Sequence, residues 1–276
     1  MGDLAHSYGL DMTVHHHPLG FSYGDEVTGP MPEIRQLDQI RASMRDQNCE
    51  GPQEVYAIAM DVARMQDREE LKKRMLLFGV VTYAAGRLGE EPVRSQGHIH
   101  RISQHSGWSP PELYEIWQGK AIIYMQEYVE DDPGRCFAVI AGPGEKVLVP
   151  PGWGHATISA DPDVPLTFGA WCDREYGFEY DAVRAHKGLA WYPLLQGNNV
   201  IWQHNPRYIP GRLQAVTPRQ APRDMAKLSS IKKPGHSPNA CQLTMMSGPT
   251  EVMNLLPPAY CYVHLSDITS LRQYEL

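Results

Sequence analysis

Three histidines and a glutamate carry the densest chemical signal in the 276-residue chain. His98 and His100 stand two apart, so on a β-strand both side chains point to one face. Glu112 and His155 follow on segments that also read as strands. Three imidazoles and one carboxylate form a ligand set for a first-row divalent metal that keeps positions open for a substrate. Tyr114 shares the strand face of Glu112, whereas Glu115 falls on the opposite face. A single histidine in a barrel is usually a core residue satisfied by hydrogen bonds; three at this spacing argue for ligation.

The elements that must position these residues are short strands with frequent turns. Met75–Ala84, Val93–His100, Glu112–Trp117, Ala121–Tyr128, Cys136–Ile140, Lys146–Val149, His155–Ser159 and Leu166–Asp173 read as strands. Turn residues punctuate them at Gly86–Glu91, Gly119, Asp131–Gly134, Gly142–Gly144 and Asp161–Asp163. That rhythm predicts an all-β sandwich or barrel. Upstream, Ile34, Leu37, Ile40 and Met44 recur at helical steps and predict an amphipathic helix over 31–46. Glu54–Val62 reads as a strand and Arg64–Arg74 as a short helix. Residues 1–30 read as irregular, with His15, His16 and His17 exposed. The pattern ends near Trp202, which predicts a catalytic domain over 1–204 and an extension over 205–276, Pro/Arg-rich at first and packed on the barrel or a partner.

Hydrophobic residues are 42% of the chain and charged residues 21%, ordinary values for a globular protein. No apolar run reaches the roughly 18 residues of a membrane span, and the N-terminus lacks a secretory pattern. Five cysteines without a Cys-x-x-Cys favour reduced thiols and a cytoplasmic location. The net charge of −7 is unevenly spread: residues 205–276 hold 8 basic and 4 acidic side chains. With few aromatics for stacking, that basic arm is expected to pack against its own acidic barrel or a neighbouring subunit rather than nucleic acid.

The spacing resembles the two motifs of the cupin barrels. Six residues separate Glu112 from Gly119, and five separate Gly144 from Pro150, ahead of Pro150-Pro151-Gly152-Trp153-Gly154-His155. The expected fold is therefore an all-β cupin (double-stranded β-helix, or jelly roll) with N-terminal helix and strand additions and a C-terminal extension. The chain departs from the motif between His100 and Glu112, where eleven residues replace the usual few; Gly107, Pro110 and Pro111 make this an inserted turn. More narrowly, Ser95-Gln96-Gly97-His98-Ile99-His100, Glu112-Leu113-Tyr114, Gln126 and the Pro-Pro-x-Trp-x-His run resemble the cupin-type phosphoglucose isomerases, as does Arg35-Gln36-Leu37-Asp38.

The resemblance covers about residues 20–205. It implies isomerisation of glucose 6-phosphate and fructose 6-phosphate, with His98, His100, Glu112 and His155 as metal ligands. Iron(II) is the expected metal, with manganese, zinc or nickel as alternatives. It also implies Glu112 and Tyr114 as catalytic residues and Ser95, Gly97, Thr82 and Tyr180 as contacts to the sugar phosphate, in a homodimer. Ser95 has an alternative role in the turn, and Trp153 reads as packing at the barrel mouth. Arg94 is a weaker candidate, and His105 reads as solvent-exposed. Phe178 stands where the family often has histidine, which leaves room for a different phosphosugar. Proton transfer through Glu112 and a hydride shift both suit these residues, and a cupin dioxygenase or a sugar-sensing module would use the same ligands.

Overall fold

From Glu112 to Asp173 the chain runs as strands joined by short turns, each covering one edge of a hydrophobic interior. A computed structural model describes residues 9–216. One sheet has the order Lys146–Val149, Glu112–Gln118, Thr167–Asp173, Leu76–Tyr83, Glu54–Met60 and Glu33–Gln36. The other has the order Gly154–Ser159, Ala121–Gln126, Cys136–Ala141 and Leu213–Val216. Every pairing in both is antiparallel except the last, which is parallel. The inner faces enclose Tyr56, Val81, Tyr83, Tyr114, Ile116, Ile123, Phe137, Val139 and Phe168. This is the expected all-β cupin barrel. Each such side chain contributes roughly 1.5–3 kcal/mol by leaving water, which holds the walls of the barrel rigid around its interior.

Both sheets are covered on the outside as well. A hairpin, Met12–His16 with Leu19–Tyr23, lays Met12, Leu19 and Phe21 over Ala57, Ala59, Phe78 and Val80. Residues 12–23 are thus ordered strand rather than irregular chain, because this outer apolar face needs a cover. His16 is part of that cover, with Nε2 3.3 Å from Gln118 Oε1. On the other sheet a second hairpin, Trp191–Gln196 with Asn199–His204, packs Trp191, Val200 and Trp202 near Tyr124 and Ile158.

Two expected elements differ in the structure. The helix predicted over 31–46 is a strand, Glu33–Gln36, followed by Leu37–Ile40 and a 3₁₀ turn, Arg41–Ser43. Leu37, Ile40 and Met44 are fully buried, so the apolar spacing was genuine. It is met by a bent segment because Glu33–Gln36 pairs with the edge of the six-stranded sheet. The strand predicted over Val93–His100 is broken at Gly97, whose φ is +87°. What remains is a bridge from Arg94 to Ile158, a bridge from His98 to His155, and the pair Ile99–His100.

The elements at Glu54–Met60 and Arg68–Lys73 form as expected. Beyond Trp202 the chain stays on the barrel: Asn205 and Tyr208 are buried, and Leu213–Val216 extends the second sheet. The rest of the expected extension, residues 217–276, lies outside the described residues. No helix among the described residues is long and apolar enough to cross a membrane.

Candidate metal centre

His155 sits second in the strand Gly154–Ser159, opposite Met125 in register. The bridge to His98 fixes the two histidines together: His98 N–H donates to His155 O at 3.0 Å, and His155 N–H donates back at 2.9 Å. His100 lies two residues on, in a short strand paired with Phe178–Glu179. Glu112 opens its strand opposite Val149 and points inward with Tyr114 and Ile116. Glu115 points outward and pairs with Lys146 at 2.6 Å, as alternation requires. One donor atom from each of His98, His100, Glu112 and His155 comes within 4.8 Å of the other three.

The backbone orients the rings. His100 Nδ1 lies 2.8 Å from Pro110 O, and His155 Nδ1 lies 2.9 Å from Trp153 O. A carbonyl only accepts, so both Nδ1 atoms carry a proton and both Nε2 atoms face the interior. Glu112 Oε2 is the focus: it lies 3.2 Å from His155 Nε2, 3.3 Å from His100 Nε2, and 2.7 Å from the Tyr114 hydroxyl, which donates to it. The Nε2 of His98 is buried with no hydrogen-bond partner among the described residues, and that of His100 has only the contact to Glu112.

Burial and the neighbouring rings push His98 well below the usual imidazole range. Burial would also lower His100, but the hydrogen bond and charge of Glu112 outweigh it and raise it. Burial opposes ionisation of Glu112, yet His100 and His155 hold its carboxyl well below the usual range. Burial, with Glu112 beside it, lifts Tyr114 well above the usual phenol range, so it stays a neutral donor. A neutral His98 and an ionised Glu112 are the forms that bind metal.

His98, Glu112 and Tyr114 line a cavity of about 620 Å³ that also takes in Ser95, Gln96, Tyr83 and Tyr180. Ser95 Oγ accepts from Thr157 N–H at 3.1 Å, and the Tyr180 ring lies 6.0 Å from that of His98. Phe178 closes one wall, its ring 4.4 Å from His98. Gly97 is not part of the lining; its φ is positive, and a Cβ there would come within 2.9 Å of the Leu189 side chain.

Thr82 is a correction. It is fully buried but faces outward under the N-terminal hairpin, 3.2 Å from His16 Nδ1 and 2.9 Å from Thr167 Oγ1. Its neighbours Val81 and Tyr83 face the cavity instead. Trp153 packs on Phe137 in the core. Arg94 is a buried partner of Glu91 at 2.6 Å. His105 is exposed in the inserted turn, its backbone N–H held by Glu175 at 2.8 Å.

Tyr56, Tyr83 and Gln96, which the sequence reading did not single out, also line the cavity. Leu76–Tyr83 is buried on both faces, so its run of apolar residues offers no alternation from which to read the inward side.

A double-sheet barrel with these donors converging inside it defines a cupin with a candidate metal centre. The chain belongs to the glucose-6-phosphate isomerase family, whose profile matches residues 37–210. The glucose-6-phosphate isomerase of Thermococcus onnurineus is 27% identical over 203 residues, spanning 69% of this chain and 96% of the relative. That of Pyrococcus horikoshii is 26% identical over 203 residues, covering 69% and 97%. Among solved structures, hazelnut vicilin overlaps 47% of this chain and 33% of its own, at 10% identity and a TM-score of 0.34. An oxalate oxidase overlaps 45% and 54%, at 12% identity and a TM-score of 0.32.

Proposed function

We propose that this chain interconverts glucose 6-phosphate and fructose 6-phosphate with a divalent metal held by His98, His100, Glu112 and His155. The observation that carries the metal is the buried, unpartnered Nε2 of His98, converging with His100, His155 and an ionised Glu112. A buried polar atom without a partner is rare and costly, and a cation would satisfy it. An imidazole-rich set with one carboxylate suits iron(II), with manganese, zinc or nickel as alternatives. When bound, such an ion acts as a Lewis acid that stabilises negative charge developing on the sugar oxygens.

Isomerisation removes a proton from one carbon of the sugar and returns it to the neighbouring carbon. Glu112 is the base: it is ionised and lies at the centre of the donor cluster. Tyr114 remains protonated and holds the carboxylate in place. Ser95 and Tyr180, on the cavity wall, contact the substrate. The phosphate supplies binding energy remote from the reacting carbons.

The reading extends to a cytoplasmic homodimer serving glycolysis and gluconeogenesis. Buried free cysteines at 49, 136 and 172 accord with a reducing compartment.

The decisive measurement is a coupled assay with fructose 6-phosphate. Chelation should abolish turnover and a divalent metal should restore it. His155→Ala should lose at least about 100-fold, more than loss of a supporting hydrogen bond costs. Full activity in a rigorously metal-free preparation would overturn the reading.

A further inference from the structure

Gln96 stands directly between Ser95 and Gly97, on the approach to the first histidine, and is 1% exposed. Its Oε1 lies 3.0 Å from Arg184 Nε. A guanidinium only donates, so the facing atom must be the oxygen, and the amide nitrogen is turned the other way. That Nε2 has no hydrogen-bond partner among the described residues, although Gln96 lines the cavity. A buried N–H₂ without an acceptor is destabilising unless a ligand or water supplies one.

The surroundings favour an anion. Arg184 lies 5.0 Å over the Tyr180 ring. Arg35, on the cavity wall, has a second buried donor, Nε, also without a partner among the described residues, while its Nη2 pairs with Glu33 at 2.7 Å. Both guanidiniums act electrostatically on Tyr180, whose ring in turn lies 6.0 Å from that of His98. Positive charge on Arg184 also polarises the Gln96 amide and strengthens it as a donor.

We propose that Gln96 is a specificity-determining residue whose Nε2–H donates to a phosphoryl oxygen of the bound sugar phosphate. Arg184 is a positioning residue that fixes the amide, and Arg35 Nε is the second donor. This rests on the phosphosugar reading of the site. A fixed amide donor discriminates against sugars lacking the phosphate, because it is left unpaired with them.

The test uses the full-length, metal-loaded protein and calorimetric binding of inorganic phosphate and 6-phosphogluconate, alongside KM and kcat for fructose 6-phosphate. Gln96→Met keeps the volume and removes the donor. It should weaken both ligands and raise KM by about 10- to 100-fold, the range for hydrogen bonds to charged groups. Metal content should be unchanged and kcat should fall less than about threefold. Gln96→Glu should weaken them further, since its carboxylate would repel phosphate.

Arg184 is exposed on its helix, so its replacement keeps the test available if Gln96→Met fails to fold. Arg184→Met should weaken both ligands, and Arg184→Lys should recover part of the loss by retaining a donor. Unchanged phosphate and 6-phosphogluconate affinity in Gln96→Met, or in Arg184→Met, would overturn the proposal. Binding is read without turnover, so an inactive parent protein would count against the isomerase reading alone.

Discussion

Glu112 is the residue on which the site converges, and its state follows from its neighbours. His100 and His155 keep it ionised despite burial, and the Tyr114 hydroxyl donates to the same oxygen. Tyr114→Phe removes that donor and should lower kcat or metal affinity about 10- to 100-fold, the usual effect of losing an outer hydrogen bond to a ligand. If Glu112 acts as a base, isomerisation in D₂O should place deuterium on the product carbon, read by NMR; product free of solvent deuterium would mean a hydride shift instead. Thr82 gives a contrasting case. Thr82→Val should leave KM for fructose 6-phosphate unchanged, because its hydroxyl bonds outward to His16 and Thr167. It should cost roughly 1–2 kcal/mol in denaturant unfolding through those lost bonds.

At the scale of elements, the inserted turn after His100 supports the centre. Ser109 Oγ–H donates to His100 O at 2.6 Å, and Pro110 O accepts from the ring of the same histidine. Ser109→Ala should weaken metal binding by up to about tenfold, measured by competition with a chelator. The ion pair below the Ala121–Gln126 and Cys136–Ala141 hairpin has a different role. Burial would raise Glu127, but hydrogen bonds from the side chain and backbone of Arg135 outweigh it and hold its carboxyl below the usual range. A lowered folded pKa contributes stability above the unfolded value and loses it as pH falls through the folded one. Glu127→Gln should therefore destabilise the protein at pH 7 by about 1 kcal/mol after solvent screening. The difference should shrink as pH falls below the ordinary carboxylate range and through the lowered folded value. A constant gap at all pH values would assign Glu127 to packing instead.

For the whole molecule, the described barrel holds every proposed ligand, and relatives are matched over 96–97% of their length by 69% of this chain. A chain ending at Val216 should thus retain its melting temperature and isomerase turnover; loss of either would tie residues 217–276 to the barrel. Light scattering that returned a monomer would remove the proposed homodimer. The sequence by itself determined the barrel and the four converging donors. Period-two alternation and turn residues act locally, and motif spacing fixes which strands carry which ligand. Tertiary structure decided the rest. The N-terminal hairpin became strand because it covers an outer apolar face, and Glu33–Gln36 became strand because it completes a sheet edge. Thr82 faces away from the site by strand alternation, and because its strand is buried on both sides no polar–apolar pattern marked the inward face. The amide of Gln96 found its direction only through Arg184, 88 residues away in the chain.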